Sequence, residues 1–309
     1  MERACRGAIA ICLLVMSLAG CQKQPLPEQD AGRVPVVVSV LPQKWLVDRI
    51  GGDHVEVLAI VSGGESPATY QPTDVQVTAL MKAKAYFRIG VPFENGPWFS
   101  AIRQARSLRI VDVRNGITLR QIDEHDHGEE EHDHAAGGDP HIWLSPGLLK
   151  IQARTVSETL NDLDPDRRAD YERNLRQLEA ELDELDAVLR AKLEPVRGRM
   201  FFVFHPAWGY FADEYGLKQL AVEIEGKEPG DADLTRLQRE AREAGARVLF
   251  VQRQISARSA EAVAQAIGGR VEVLDPLAAD VPANLLRVAE ALRAAYSDAG
   301  EPDFRSERD

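Results

Sequence analysis

The stretch DRRADYERNLRQLEAELDELDAVLRAKLEPV, residues 166–196, decides the architecture of this chain. From Asp166 to Val196 it contains no glycine, and its one proline, Pro195, comes at the end. Tyr171, Leu175, Leu178, Leu182, Leu185 and Leu189 recur at alternating spacings of three and four, which lays them along one face of a helix. About thirty residues rising ~1.5 Å each make a rod of roughly 45 Å. The stripe also resembles a coiled-coil seam, but such a seam needs about three or four sustained heptads, and Leu193 leaves the register. A rod joining two lobes is the better reading.

On either side of the rod, strands and helices alternate. Ahead of it, strands are expected at Val34–Val40, His54–Val61, Ala85–Ile89 and Arg109–Val113, with helices at Gln43–Ile50, Thr73–Ala83 and Trp98–Ala105. After it, strands are expected at Met200–Phe204, Gln219–Ile224, Arg247–Gln252 and Val271–Leu274. Helices at Trp208–Tyr215, Asp231–Ala244, Ala257–Ile267 and Pro282–Tyr296 alternate with them. Short β-branched runs separated by helical segments are the pattern of a parallel sheet covered on both faces. The expected fold is therefore α/β, with two similar lobes of mainly parallel sheet bridged by one long rigid helix. The lobes are read as 34–163 and 198–298, with the bridge at 164–197 and a tail at 299–309.

Residues 1–20 read as an export signal. Arg3 and Arg6 precede the apolar run Ala8–Leu18, and Leu18-Ala19-Gly20-Cys21 closes it with small residues. The run is well short of the ~20 residues that span a bilayer. A cysteine directly after such a run is similar to the lipobox of bacterial lipoproteins, so Cys21 is the expected lipidated residue and 21–33 a flexible tether. All three cysteines, Cys5, Cys12 and Cys21, fall within or at the end of this leader. The exported body therefore has no thiol to ligate a metal or to form a disulfide within it. Losing Arg3, Arg6 and Glu2 moves the formal charge from −12 to −13. An acidic body disfavours nucleic acid and anionic lipid and favours cations.

The chemistry gathers at Asp139-Pro140-His141-Ile142-Trp143-Leu144-Ser145-Pro146 and the segment before it. Asp123–Gly138 carries His125, His127, His132 and His134 among seven acids, with no Lys or Arg. Imidazole and carboxylate are the donors that zinc accepts. The polar run reads as a flexible metal-collecting loop, the alternative being a solvated acidic linker. His141 lies between a proline turn and an apolar triplet, and reads as a fixed ligand or a core histidine. Two further candidates stand where open α/β sheets place ligands, after the carboxyl ends of strands. His205 opens His205-Pro206-Ala207-Trp208-Gly209-Tyr210-Phe211, and Asp275 opens Asp275-Pro276-Leu277. A carboxylate after a strand is also a common helix cap.

These segments, with Val38-Ser39-Val40-Leu41-Pro42 and Tyr70-Gln71-Pro72-Thr73, resemble the metal-binding receptors of bacterial zinc and manganese ABC importers, in the zinc-receptor branch. The resemblance runs from about Val36 to Ala294 and includes an acidic, His-rich insertion before the Asp-Pro-His turn. It implies two α/β lobes bridged by a long helix, with His141, His205 and Asp275 as ligands of a metal held between them. It also implies an ABC permease and its ATPase as partners, in the periplasm or at the cell surface. Histidine at 205, where manganese receptors commonly have Glu, favours Zn2+ over Mn2+, in line with the preference of nitrogen donors for zinc. One position departs from the pattern. The family turn Asp-Pro-His-Thr-Tyr-Glu-Pro is Ser66-Pro67-Ala68-Thr69-Tyr70-Gln71-Pro72 here, and Ala68 has no donor. Water, Glu65, Tyr70 or a loop histidine is left to fill that place.

The expected function is extracytoplasmic zinc capture by a lipid-anchored monomer that is not an enzyme. A receptor for manganese or a metal chelate is the nearest alternative. A zinc hydrolase also uses three protein ligands and an open position, but it needs a base beside the metal-bound water, and no HExxH-like element supplies one. A metal-buffering or adhesive lipoprotein without a transporter is a further alternative.

Overall fold

A computed structural model describes residues 32–121, 138–222, 231–244 and 248–297. The export signal, Cys21, His125, His127, His132, His134 and the C-terminal tail lie outside the described residues. The first valine-rich run forms β1 (Val34–Val38), followed by α1 (Leu41–Gly51), β2 (Val55–Ala59) and α2 (Asp74–Lys82). Next come β3 (Ala85–Arg88), α3 (Pro97–Ile102) and β4 (Arg109–Asp112). Thr73 starts α2 with a reciprocal cap. Gln76 donates its backbone N–H to Thr73 Oγ1 (3.3 Å), and its side-chain Oε1 accepts from the Thr73 N–H (2.9 Å).

The four strands pair in the order β2-β1-β3-β4, every pair parallel. After the central helices, β5 (Met200–Val203), α6 (Gly209–Tyr215), β6 (Lys218–Ala221) and α7 (Asp231–Ala244) begin the second lobe. β7 (Val248–Val251), α8 (Ala257–Ala266), β8 (Arg270–Val273) and α9 (Val281–Ser297) complete it. Its strands pair in the order β6-β5-β7-β8, again all parallel. The two sheets thus share one topology, as the matching element order implied. α6 is short because Gly216 follows it in the left-handed conformation (φ 68°), where a side chain would be strained.

The rod is α5 (Arg168–Leu193), flanked by 3-10 turns at Pro165–Arg167 and Glu194–Val196. Its regular part has 26 residues, about 39 Å at ~1.5 Å per residue, a little shorter than the sequence suggests. Tyr171, Leu178, Leu182, Leu185 and Leu189 are buried, and so is Leu193. Leu193 lies four residues after Leu189 and so stays on the packed face of a straight helix, where a coiled-coil seam would have lost it.

A second long helix accompanies the rod. α4 (Pro146–Leu163) packs against α5 and α1, and α9 packs against α5 from the other lobe. Apolar periodicity does not mark this helix in the sequence, because the buried face of α4 carries Gln152, Ser157, Thr159 and Asn161 among its apolar residues. Those polar groups break the apolar stripe.

Side chains of β5 alternate between two cores, as strand geometry requires. Phe201 and Val203 join a core continuous with α4, α5 and the first lobe, whereas Phe202 and Phe204 pack with residues of α7 and α8. A shared apolar core between the lobes opposes the free relative motion that small polar interfaces allow. In each sheet the chain reverses direction of winding at its first strand, so the crevices beyond β1/β3 and β5/β7 are the places for ligands.

Candidate metal site

His141 is set by the residue two before it. The Asp139 carboxylate is fully buried, and its Oδ1 accepts from both the backbone N–H (2.9 Å) and the ring Nδ1 (2.7 Å) of His141. With Nδ1 donating, the lone pair of the neutral ring is on Nε2, the arrangement that metal-binding imidazoles use. Ile142 and Leu144 bury their side chains and anchor the turn. Trp143 lies against the His141 ring, centroids 5.1 Å apart, and donates its Nε1–H to the Pro276 carbonyl across the lobe interface (2.7 Å). Burial acts to raise the Asp139 carboxyl, but the His141 ring, its two hydrogen bonds and the Arg120 guanidinium outweigh it and hold the carboxyl below the usual range. Asp139 therefore stays an acceptor for His141 at neutral pH and into mild acid.

His205 comes from the other lobe. Phe204 continues the β5 ladder by donating to the Phe250 carbonyl (2.9 Å), and the chain then turns at Pro206, with the Ala207 N–H donating to the His205 carbonyl (2.8 Å). The turn places His205 Nε2 3.4 Å from His141 Nε2, with ring centroids 5.2 Å apart. Two nitrogens each ~2.0–2.1 Å from one zinc at a tetrahedral angle stand about 3.3–3.4 Å apart. The spacing is that of two ligands sharing an ion.

Asp275 is near this pair in the fold but not joined to it. Among the described residues no three His, Asp or Glu side chains gather closely enough to hold a metal ion. Asp275 Oδ1 accepts from the Leu277 N–H (2.9 Å), and Oδ2 lies 3.6 Å from Arg253 Nε. Its carbonyl accepts from Asn284 Nδ2 (2.7 Å), so the turn itself is fixed. The Trp143–Pro276 bond holds this turn beside the one that carries His141.

Of the auxiliary residues, Glu65 folds back on its own loop, Oε2 accepting from the Ser62 N–H (3.1 Å), and its carbonyl accepts from Gln254 Nε2 (3.3 Å). Tyr70 donates its hydroxyl to Gln76 Oε1 (3.0 Å) and packs edge-on to Phe93. That makes it a packed turn residue. Ala68 is exposed, as are Thr69 and Gln71, while the rest of its turn is half-buried.

Three groups around His141 had no role in the sequence reading: Asp139 as its hydrogen-bond partner, and Arg120 and Tyr210, which hold Asp139 in turn. The Asp-x-His spacing was visible and is the signal for the first, since a carboxylate two residues ahead of a histidine can reach its Nδ1. No local pattern reveals the other two.

The model of the ZnuA family, described as the periplasmic component A of a zinc-uptake complex, matches residues 36–295. The high-affinity zinc uptake system protein ZnuA of Bacillus subtilis is 29% identical over 283 residues, 87% of this chain and 86% of that protein. A putative metal-binding protein of Chlamydia muridarum is 30% identical over 259 residues, covering 83% of this chain and 89% of its own. A crystal structure of a ZnuA superposes with a TM-score of 0.77 at 41% identity, over 85% of this chain and 99% of that one.

Proposed function

The chain belongs to the ZnuA family of zinc-uptake components, and from that premise we propose that it captures zinc outside the cytoplasm and hands it to an ABC importer. The observation that carries this reading is the His141–His205 pair, one imidazole from each lobe, with Nε2 atoms 3.4 Å apart. His141 and His205 are the first two ligands and Asp275 is the third. A water, Glu65 or a histidine of the 123–138 loop supplies the fourth in place of Ala68. Two nitrogen donors suit zinc better than manganese. The carboxylate that touches His141 is Asp139, whose oxygens face His141 and Arg120, a poor arrangement for the general base that a hydrolase requires. The partners are a permease and its ATPase. Cys21 carries the lipid anchor, the receptor acts as a monomer, and it is not an enzyme.

The test is zinc titration of the soluble body against a competing chelator. One tight equivalent per chain is expected, and protein that stays metal-free in excess zinc would end the proposal. Capture must weaken as pH falls, because protons compete with zinc for both imidazole nitrogens. A chelator titration repeated from pH 8 to pH 5 should show a monotonic loss of affinity, and a flat profile would contradict histidine ligation.

Arg253 sets a second expectation. Its guanidinium faces the Asp275 carboxylate from a largely exposed position, so it competes with an incoming cation but weakly, as exposed ion pairs do. Substituting R253Q should tighten zinc binding by roughly two- to fivefold, the scale of an exposed pair. Unchanged or weaker binding would mean that Asp275 does not receive the ion.

A further inference from the structure

We propose that Arg120 is a positioning residue for zinc capture, fixing the His141 ring through Asp139, and that Gly209 is there to make room for it. The inference rests on the reading of His141 as a ligand. Arg120 lies in the first lobe, beyond β4, and its backbone pairs with the chain just ahead of His141: the Asp139 N–H donates to the Arg120 carbonyl (2.8 Å). Among the described residues its guanidinium meets two carboxylates, Asp139 and Asp213. Nη1 lies 3.3 Å from Asp139 Oδ2, and Nε donates to Asp213 Oδ2 on α6 (3.0 Å). The two Asp139 oxygens thus have separate duties, Oδ1 holding His141 and Oδ2 meeting Arg120.

Tyr210 closes the arrangement from the second lobe. Its hydroxyl accepts from the Arg120 N–H (3.1 Å) and donates to the Asp139 carbonyl (2.8 Å), while the guanidinium lies 5.9 Å from its ring centroid. A carboxylate held at one oxygen alone can swing about its last bond and take the imidazole with it. Held at both, it presents Nε2 in one direction. Preorganising a ligand in this way is what outer-sphere partners of metal sites contribute.

Gly209 supplies an independent observation. A methyl group built on its Cα would overlap the Arg120 guanidinium. Its φ is not in the left-handed region, so what glycine provides here is space for the Arg120 guanidinium and not backbone freedom. Any larger residue at the start of α6 would push the guanidinium off Asp139. The glycine of His205-Pro206-Ala207-Trp208-Gly209 therefore serves the histidine of the other lobe.

Two variants test this, R120M, which removes the guanidinium, and G209A, which displaces it with its charge retained. Zinc affinity is read by chelator competition, and the visible absorption of bound cobalt(II) reports ligand geometry. Each variant should weaken zinc by roughly tenfold, at the low end of what outer-sphere losses cost, and shift the cobalt bands. The double variant should be no weaker than the worse single, because both changes remove one contact. A purely structural role would lower the thermal midpoint with the cobalt spectrum unmoved, and would overturn the proposal, as would losses that multiply in the double variant. If R120M does not fold, G209A is judged on affinity and cobalt spectrum alone. H141A is the control. Tight zinc retained there overturns both this inference and the function it rests on, whereas loss in H141A with wild-type binding in G209A overturns this inference alone.

Discussion

Alanine at His141 or at His205 is expected to weaken zinc capture by more than a hundredfold. Loss of a mere outer-sphere partner costs about 10–100-fold, and these two rings are read as direct ligands. His141 is already held with Nε2 as its free acceptor by the bond from Nδ1 to Asp139. His205 meets it from the opposite lobe at the separation that a shared ion imposes. Removing either leaves one imidazole with the Asp275 carboxylate, a set short of a nitrogen donor that zinc prefers. The two variants should look alike in calorimetric titration. His205 is only partly buried, so its loss should cost little stability, whereas loss of the buried His141 ring removes a donor to the buried Asp139 carboxylate and should cost more. Tight binding retained by both would refute the assignment.

The largest effect on stability is expected at Trp143. Its side chain is 1% exposed, and its Nε1–H reaches the Pro276 carbonyl of the other lobe. Trp143→Ala removes the bulk that backs the His141 ring and leaves a cavity at the lobe interface, a loss of about 3–5 kcal/mol on the scale of large aromatic truncations. Trp143→Phe keeps most of the volume but leaves the carbonyl without its donor, at a cost of about 1–3 kcal/mol. Denaturant unfolding of the metal-free protein should rank them in that order. Zinc affinity should fall in both, since the bond ties the Asp275 turn to the His141 turn. If Trp143→Phe proved as stable as the parent, the interface bond would carry no weight.

Periodicity revealed the fold well where one force dominated. The valine-rich strands and the leucine stripe of α5 are set by burial of one residue type, and each expected strand lies within a few residues of an observed one. α4 was missed because Gln152, Ser157, Thr159 and Asn161 sit on its buried side. There, Gln152 Nε2 donates to the Ile142 carbonyl (3.2 Å) and Thr159 Oγ1 to the Thr155 carbonyl (2.8 Å). The candidate site was legible only in part. The Asp-Pro-His and His-Pro turns are local and can be read from residue type, but the meeting of His141 with His205 depends on how two lobes pack on α4 and α5. No spacing along the chain encodes that distance. Likewise, Arg120 and Gly209 are far apart in sequence, and their fit becomes visible only when α6 is docked. Asp275 was placed correctly at a strand end, yet its neighbour Arg253 is a feature that the post-strand rule could not supply.

The most direct test of the account is anomalous diffraction at the zinc edge from zinc-loaded crystals of the protein. The account predicts one strong site, bonded at ~2.0–2.1 Å to the Nε2 atoms of His141 and His205 and at ~2.0–2.2 Å to the Asp275 carboxylate. A zinc ion bound away from the His141–His205 pair, or held by Nδ1 of either ring, would contradict it.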